Sequence, residues 1–238
     1  MNESPDVLDP AVRQRGLQLP ASARGLVVLV HADTASQQHR GHRFIADVLR
    51  ANGLATLAVT LHPAEEQRLG LPAPGQVQVK QRLRAVFDWL PTQAMPAGLP
   101  MALLGVDDAV RSCVFAAARS RPGALRSLIL LDGRPDLVPK LLERLSLPTL
   151  MVVGARDARS LSRHRAALRQ MTAPSRLEVL NMATRPIPAP GAHQAIAHIA
   201  MGWLAKTLWA ETAAADPEPG LLGSTLPTPG RGVARTGG

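Results

Sequence analysis

Short, mostly apolar runs separated by segments of helical periodicity constrain this chain more than any single motif does. The first, Leu26-Val27-Val28-Leu29-Val30, opens at Gly25 and ends at His31. Leu54 to Leu61, Met101 to Leu104, Leu125 to Leu131, Thr149 to Val153 and Arg176 to Leu180 repeat the pattern. Runs of this length, apolar on both faces, predict strands buried on both sides of a parallel sheet. Between them, Phe44, Ile45, Val48 and Leu49 share one helical face while Arg43, Asp47 and Arg50 take the other, and Asn52-Gly53 signals the stop. Val79, Leu83, Val86, Phe87 and Leu90 keep helical spacing up to Pro91, and Val110, Cys113, Val114 and Ala117 mark the next inner face. A short helix is expected from Pro135 to Leu145 and a basic one over 159–170. A last helix carries Ile196, Ile199, Ala200, Trp203 and Leu208. Such alternation predicts an α/β fold: a mostly parallel sheet of about six or more strands with helices on both faces.

The 238 residues are long enough to bury a full core. Residues 1–20 are polar and proline-broken and read as an arm or a short edge strand, with the folded domain over 21–212. From 213 to 238 the chain turns to Pro, Gly, Thr and Arg without a pattern, and disorder is expected there. Aromatic residues make up 3% and Tyr is absent, so the core is aliphatic and a base-stacking or carbohydrate platform is not expected. The formal charge of +9 favours anionic partners, but the basic residues are scattered, without a run and without interleaved aromatics, which weighs against nucleic acid. Arg159, Arg163, Arg165 and Arg169 read as a solvated helix face. Cys113 is the one cysteine, so neither a disulfide nor a cysteine metal cluster is expected, and its place on an inner face makes it a core residue. The acidic start Met-Asn-Glu-Ser-Pro-Asp does not resemble a signal peptide, and no stretch approaches the roughly 18 apolar residues of a membrane span. The expectation is a cytoplasmic protein with no membrane association.

In a parallel sheet the loops following the strands gather at one edge, where ligands bind. His31, Asp107, Asp132 and Asp157 follow strands directly and are expected there, with Arg185 a few residues past the last strand. Within Leu103-Leu104-Gly105-Val106-Asp107-Asp108-Ala109, Asp107 is placed at the apex of a sharp strand-to-helix turn. The carboxylates Asp107, Asp108, Asp132 and Asp157 suit a hard cation by type, but Arg185 among them repels one, so no metal is expected. Gly154-Ala155-Arg156 lacks the spacing of a phosphate-binding loop, and no cofactor is expected.

From Gly25 to Leu208 the order of elements resembles the α/β hydrolases, in particular the small, lidless dienelactone-hydrolase-like group. Val28-Leu29-Val30-His31-Ala32 is similar to the strand and His-Gly that begin the family's oxyanion loop. Asp107 stands at the nucleophile of the Gly-x-Ser-x-Gly elbow, with Asp108 after it. Val153-Gly154-Ala155-Arg156-Asp157 resembles the segment of the triad acid. Leu177 to Arg185, followed by Pro190-Gly191, resembles the segment of the triad base. The resemblance therefore implies a triad read as Asp107, Asp157 and Arg185, with His31, Ala32 and Asp108 as oxyanion-loop equivalents. A guanidinium stays protonated and cannot serve as the base. The implied protein is a hydrolase fold without serine-hydrolase activity, acting as a binding or regulatory module for an unidentified small molecule or protein. Arg185 would bridge the two carboxylates. Two alternatives stand beside it. One is an active hydrolase of small esters or lactones, or one using Asp107 as nucleophile, with a base among His31, His39, His42, His62 and His193. The other is a basic module for nucleic acid or another polyanion. Ala32 and Ala109 occupy positions where the family has glycine, and Ala109 is expected to crowd the turn.

Overall fold

The computed structural model describes residues 16–93, 95, 96, 98–120, 123, 125–181 and 191–209. Most of the N-terminal arm, the tail 213–238 and the residue Arg185 lie outside the described residues. The strands are β1 (Leu17–Gln18), β2 (Leu26–Asp33), β3 (Ala55–His62), β4 (Met101–Val106), β5 (Ser127–Leu131), β6 (Thr149–Gly154) and β7 (Ser175–Leu180). They form one sheet in the order β1-β3-β2-β4-β5-β6-β7. Only the two-residue β1 runs antiparallel, beside β3, and the other neighbours are parallel.

The helices are α1 (Thr34–Gln38), α2 (Arg40–Ala51), α3 (Ala64–Arg68), α4 (Gln76–Trp89), α5 (Val110–Ala117), α6 (Pro139–Leu142), α7 (Ala158–Gln170) and α8 (Ala192–Leu208). Successive strand residues face opposite sides of a sheet, and β2 shows the consequence. Leu26, Val28 and Val30 join a core with Leu83 and Val86 of α4, Val110 and Cys113 of α5, and Ala167 of α7. Val27 and Leu29 join the opposite core, with Ile45 and Leu49 of α2 and Ile196, Ala200 and Leu204 of α8. Because both faces are covered, the central strands contain hardly a polar side chain. One exception is Ser127, whose hydroxyl accepts the Trp203 indole N–H at 2.9 Å and pins α8 to β5. Burial pushes the Cys113 thiol well above its ordinary pKa, as suits a core residue.

The stop at Asn52-Gly53 closes in physical detail. Gly53 takes φ 78°, its N–H reaches the Arg50 carbonyl at 3.0 Å, and the Leu54 N–H reaches that of Leu49 at 3.1 Å. Elsewhere the structure departs from the sequence reading. The polar stretch after His31 holds the end of β2 and the short α1, which Asp33 caps by accepting the Ser36 N–H at 2.7 Å. The helix expected from Pro135 is broken into a 3₁₀ turn, Pro135–Leu137, and the single turn α6. Pro139 has no N–H to carry the first turn onward, so the helix must restart there. No described helix is long and apolar enough to cross a membrane.

Candidate functional site

The sharp turn after β4 has the conformation of a strained elbow. β4 ends extended at Val106, Asp107 then takes φ 47°, and a 3₁₀ turn over Asp107–Ala109 leads into α5. A positive φ is costly for most side chains, and Asp is among the few that visit it. Two glycines allow the turn to close. A Cβ at Gly105 would lie 2.6 Å from the Cys113 sulfur, so β4 and α5 touch through a missing side chain. A Cβ at Gly133, just past β5, would lie 2.3 Å from the backbone oxygen of Asp107 itself. The crowding expected at Ala109 is absorbed. Its methyl is fully buried in the apolar core, because the tight 3₁₀ turn delays the α-helix to Val110.

Beside the elbow lies a cleft of about 220 Å³. Five carboxylates line it: Asp33, Asp107, Asp108, Asp132 and Asp157, with Arg134 and Arg163 and the hydroxyl residues Ser36 and Ser160. Structural duties hold three of the acids. Asp33 caps α1, Asp157 caps α7 by accepting the Ser160 N–H at 2.9 Å, and Asp132 accepts the Ser160 hydroxyl at 2.8 Å. Arg134 clamps Asp136 through two hydrogen bonds of 2.9 Å, which hold that carboxyl below its ordinary range. Arg163, read from the sequence as solvated, is half-buried and borders the cleft. Ala32 and Asp108 border it as well. Among the described residues no group of three or more His, Cys, Asp or Glu is placed to hold a metal ion.

No histidine lies among the described residues lining the cleft. His31 does not follow its strand, as the sequence suggested. β2 runs on to Asp33, and His31 is 2% exposed inside it. Its ring lies 5.2 Å from that of His42, His42 lies 5.1 Å from His39, and His39 lies 5.9 Å from His193. Burial, with a smaller contribution from the neighbouring His42, pushes the His31 pKa down to about 3. Burial likewise lowers His42 to about 4, against the raising effect of its hydrogen bond to the Ser36 carbonyl. Groups so far below neutrality make weak bases at pH 7. His62 is engaged elsewhere, with its Nε2 3.1 Å from the Leu71 carbonyl oxygen.

Two residues that escaped the sequence reading, Ser160 and His164, form a trio with Asp132. Ser160, His164 and Asp132 meet in the interior at the base of the cleft, and each is nearly or fully buried. They have the composition of a catalytic triad but not its wiring. The Ser160 hydroxyl donates to the Asp132 carboxylate at 2.8 Å and lies 3.5 Å from His164 Nδ1, while the His164 ring nitrogens lie nearer, at 2.8 and 3.0 Å, to the backbone carbonyls of Ser160 and Asp132. With its hydroxyl proton given to Asp132 and the whole trio closed in the interior, Ser160 is not presented to a substrate as an elbow nucleophile is. The i, i+4 spacing of Ser160 and His164 was visible, but their meeting with Asp132 depends on how α7 packs beside β5.

A parallel sheet in this strand order, with a left-handed elbow after β4, defines the α/β-hydrolase fold. A dienelactone hydrolase from Anabaena variabilis superposes with a TM-score of 0.73 at 30% identity, covering 81% of this chain and 90% of that one. The chain therefore belongs to the α/β-hydrolase superfamily, in its dienelactone-hydrolase-like group. The esterase domain of a Rhodothermus marinus protein, with a TM-score of 0.65 at 14% identity over 81% of this chain and 92% of that one, shares the fold. Proteins from two strains of Mycobacterium tuberculosis that carry a provisional phosphoribosyl-transferase name are 32% identical over 187 residues, 79% of this chain. The chain spans 42% of the length of those relatives. No family model matches the chain.

Proposed function

We propose that this protein is a dienelactone-hydrolase-like module that binds or regulates through its cleft and has no serine-hydrolase activity. One observation carries the reading. The apex of the elbow is the carboxylate of Asp107, and the cleft beside it has no imidazole among its described lining residues. Acyl transfer needs a nucleophile deprotonated by a base that later returns the proton. In this reading Arg185 takes the place of that base and bridges Asp107 and Asp157 as a salt-bridge cluster. Asp107 and Asp157 are both half-buried, so removing Arg185 alone then costs less than the about 3–5 kcal/mol of a fully buried pair. The transferase name of the mycobacterial relatives does not extend to this chain in our reading, since five carboxylates in one small cleft would repel a phosphorylated sugar.

The left-handed conformation of Asp107 favours a second reading, in which its carboxylate attacks an alkyl carbon, displaces the leaving group that carbon carries, and forms an ester. A fluorophosphonate probe and short-chain p-nitrophenyl esters test the first reading. Neither labelling nor turnover above background is expected. Turnover abolished by Asp107→Asn would overturn it.

A further inference from the structure

The two ends of the sheet are finished differently. At one end the two-residue β1 runs antiparallel against β3, and so short a strand offers a further chain little to pair with. At the other end stands β7, six residues long and paired on one side only, with β6. The bonds to β6 fix which of its backbone groups face outward. The Thr149 N–H reaches the Pro174 carbonyl at 2.9 Å, and the Ala155 N–H reaches that of Leu180 at 2.9 Å. Backbone groups alternate in direction along a strand, so the even-numbered residues of β7 are the ones that bond to β6. Ser175, Leu177 and Val179 therefore present both N–H and C=O outward. Among the described residues no chain pairs with them. A row of unpaired backbone groups is a template for another strand.

The side chains select which strand. Leu177 packs on the core that holds Ala167 of α7, and Leu180 on the opposite core. By alternation Arg176 and Glu178 share the face of Leu180, away from α7. These two form an ion pair with each other along the edge, and Arg176 stays 60% exposed. An edge guarded against association carries charges that repel a copy of itself. Here opposite charges stand two residues apart, which is self-complementary under a two-fold axis. In an antiparallel pair of β7 strands centred on Leu177, Arg176 of each copy lies opposite Glu178 of the other. The same register sets Leu177 against Leu177 and Ser175 against Val179, so every outward N–H and C=O finds a partner. Arg176 and Glu178 then occupy the non-hydrogen-bonded positions, where facing Cα atoms approach to about 4.5 Å and side chains lie closest. Centring the axis on Arg176 or on Glu178 instead sets like charges directly opposite, which is unfavourable. Charge and hydrogen bonding thus pick one register.

We propose that β7 is the interface of a two-fold dimer, in which two copies of this chain join antiparallel about Leu177 into one continuous sheet. The proposal does not depend on the chemistry of the cleft.

The test uses the full chain and sedimentation velocity across the micromolar range. The wild type is expected to reach the mass of two chains. Glu178→Arg and Arg176→Glu each set like charges opposite in the dimer, and each alone should weaken it about tenfold or more. An equimolar mixture of the two variants should dimerise again, because each strand then carries the charges that the other lacks. Val179→Pro removes an outward N–H without touching a bond to β6, and it should weaken the dimer as well. Circular dichroism confirms the fold of each variant. Amide exchange on the wild type is an independent readout, with protection expected at Ser175, Leu177 and Val179 that grows with protein concentration. A single-chain mass throughout the range overturns the proposal, as does a dimer indifferent to all three variants or a mixture that fails to restore it. Protection at the three amides that ignores concentration would assign the edge to another segment of the same chain, and would also overturn it.

Discussion

Gly133→Ala tests the elbow at its tightest contact. The new Cβ would meet the Asp107 backbone oxygen at 2.3 Å and the Val110 Cβ and Cγ2 at 2.9 Å. Neither partner is the far end of a flexible chain, so the elbow or the β5 end must move. Overpacking of this kind costs about 1–3 kcal/mol, and holding alanine at φ 79° adds about 1 kcal/mol. The sum is about 2–4 kcal/mol, or a fall in Tm of about 5–15 °C for a domain of this size. Gly70→Ala is the matched control, because Gly70 has φ 67° but nothing within 4 Å of the added methyl. It should lose about 1 kcal/mol, the conformational share alone. Urea denaturation of the two variants separates the steric part from the backbone part. If Gly133→Ala loses no more than Gly70→Ala, the close approach of the β5 end to the elbow is wrong.

Acid should destabilise the protein before its carboxylates titrate. His31 and His42 bind protons near pH 6.5 when unfolded but only near pH 3 and 4 when folded. The unfolded state therefore binds more protons as pH falls through 6.5, and the stability held above that pH is progressively lost down to 4 and then 3. The slope is up to about 1.4 kcal/mol per pH unit for each group. Urea midpoints from pH 7 to pH 4.5 measure it, and a flat profile would contradict the buried, neutral state of both rings. Ser160→Ala removes the donor to the buried Asp132 carboxylate, and a loss of about 1–3 kcal/mol in chemical denaturation is expected. A loss below about 0.5 kcal/mol would show that water replaces the hydroxyl.

The framework was legible because a parallel sheet covered on both faces needs strands with few polar interruptions, and six mostly apolar runs stand out in the chain. β1 was barely legible, since two residues carry no periodicity and only pairing with β3 makes Leu17–Gln18 a strand. The elbow was legible at Asp107, because the apolar run, Gly105 and the helix after it leave little room for another turn. The histidines were not. Whether His31 ends a strand or lies within it depends on pairing with Thr60, and the partnership of His31 with His42 is set by how α2 packs on the sheet. Ser160 and His164 were obscured by the arginines around them, which set the polar pattern of α7 while these two residues face inward.

Covalent chemistry at Asp107 is the point on which the account turns, and intact-mass spectrometry after incubation with a primary alkyl halide and with an activated ester measures it directly. A carboxylate nucleophile without a competent base would form an alkyl ester and retain it, so the adduct would accumulate. The account predicts no adduct on the peptide containing Asp107 with either reagent. A stoichiometric adduct that maps to the peptide containing Asp107 and disappears in Asp107→Asn would contradict it and establish the elbow as a working nucleophile.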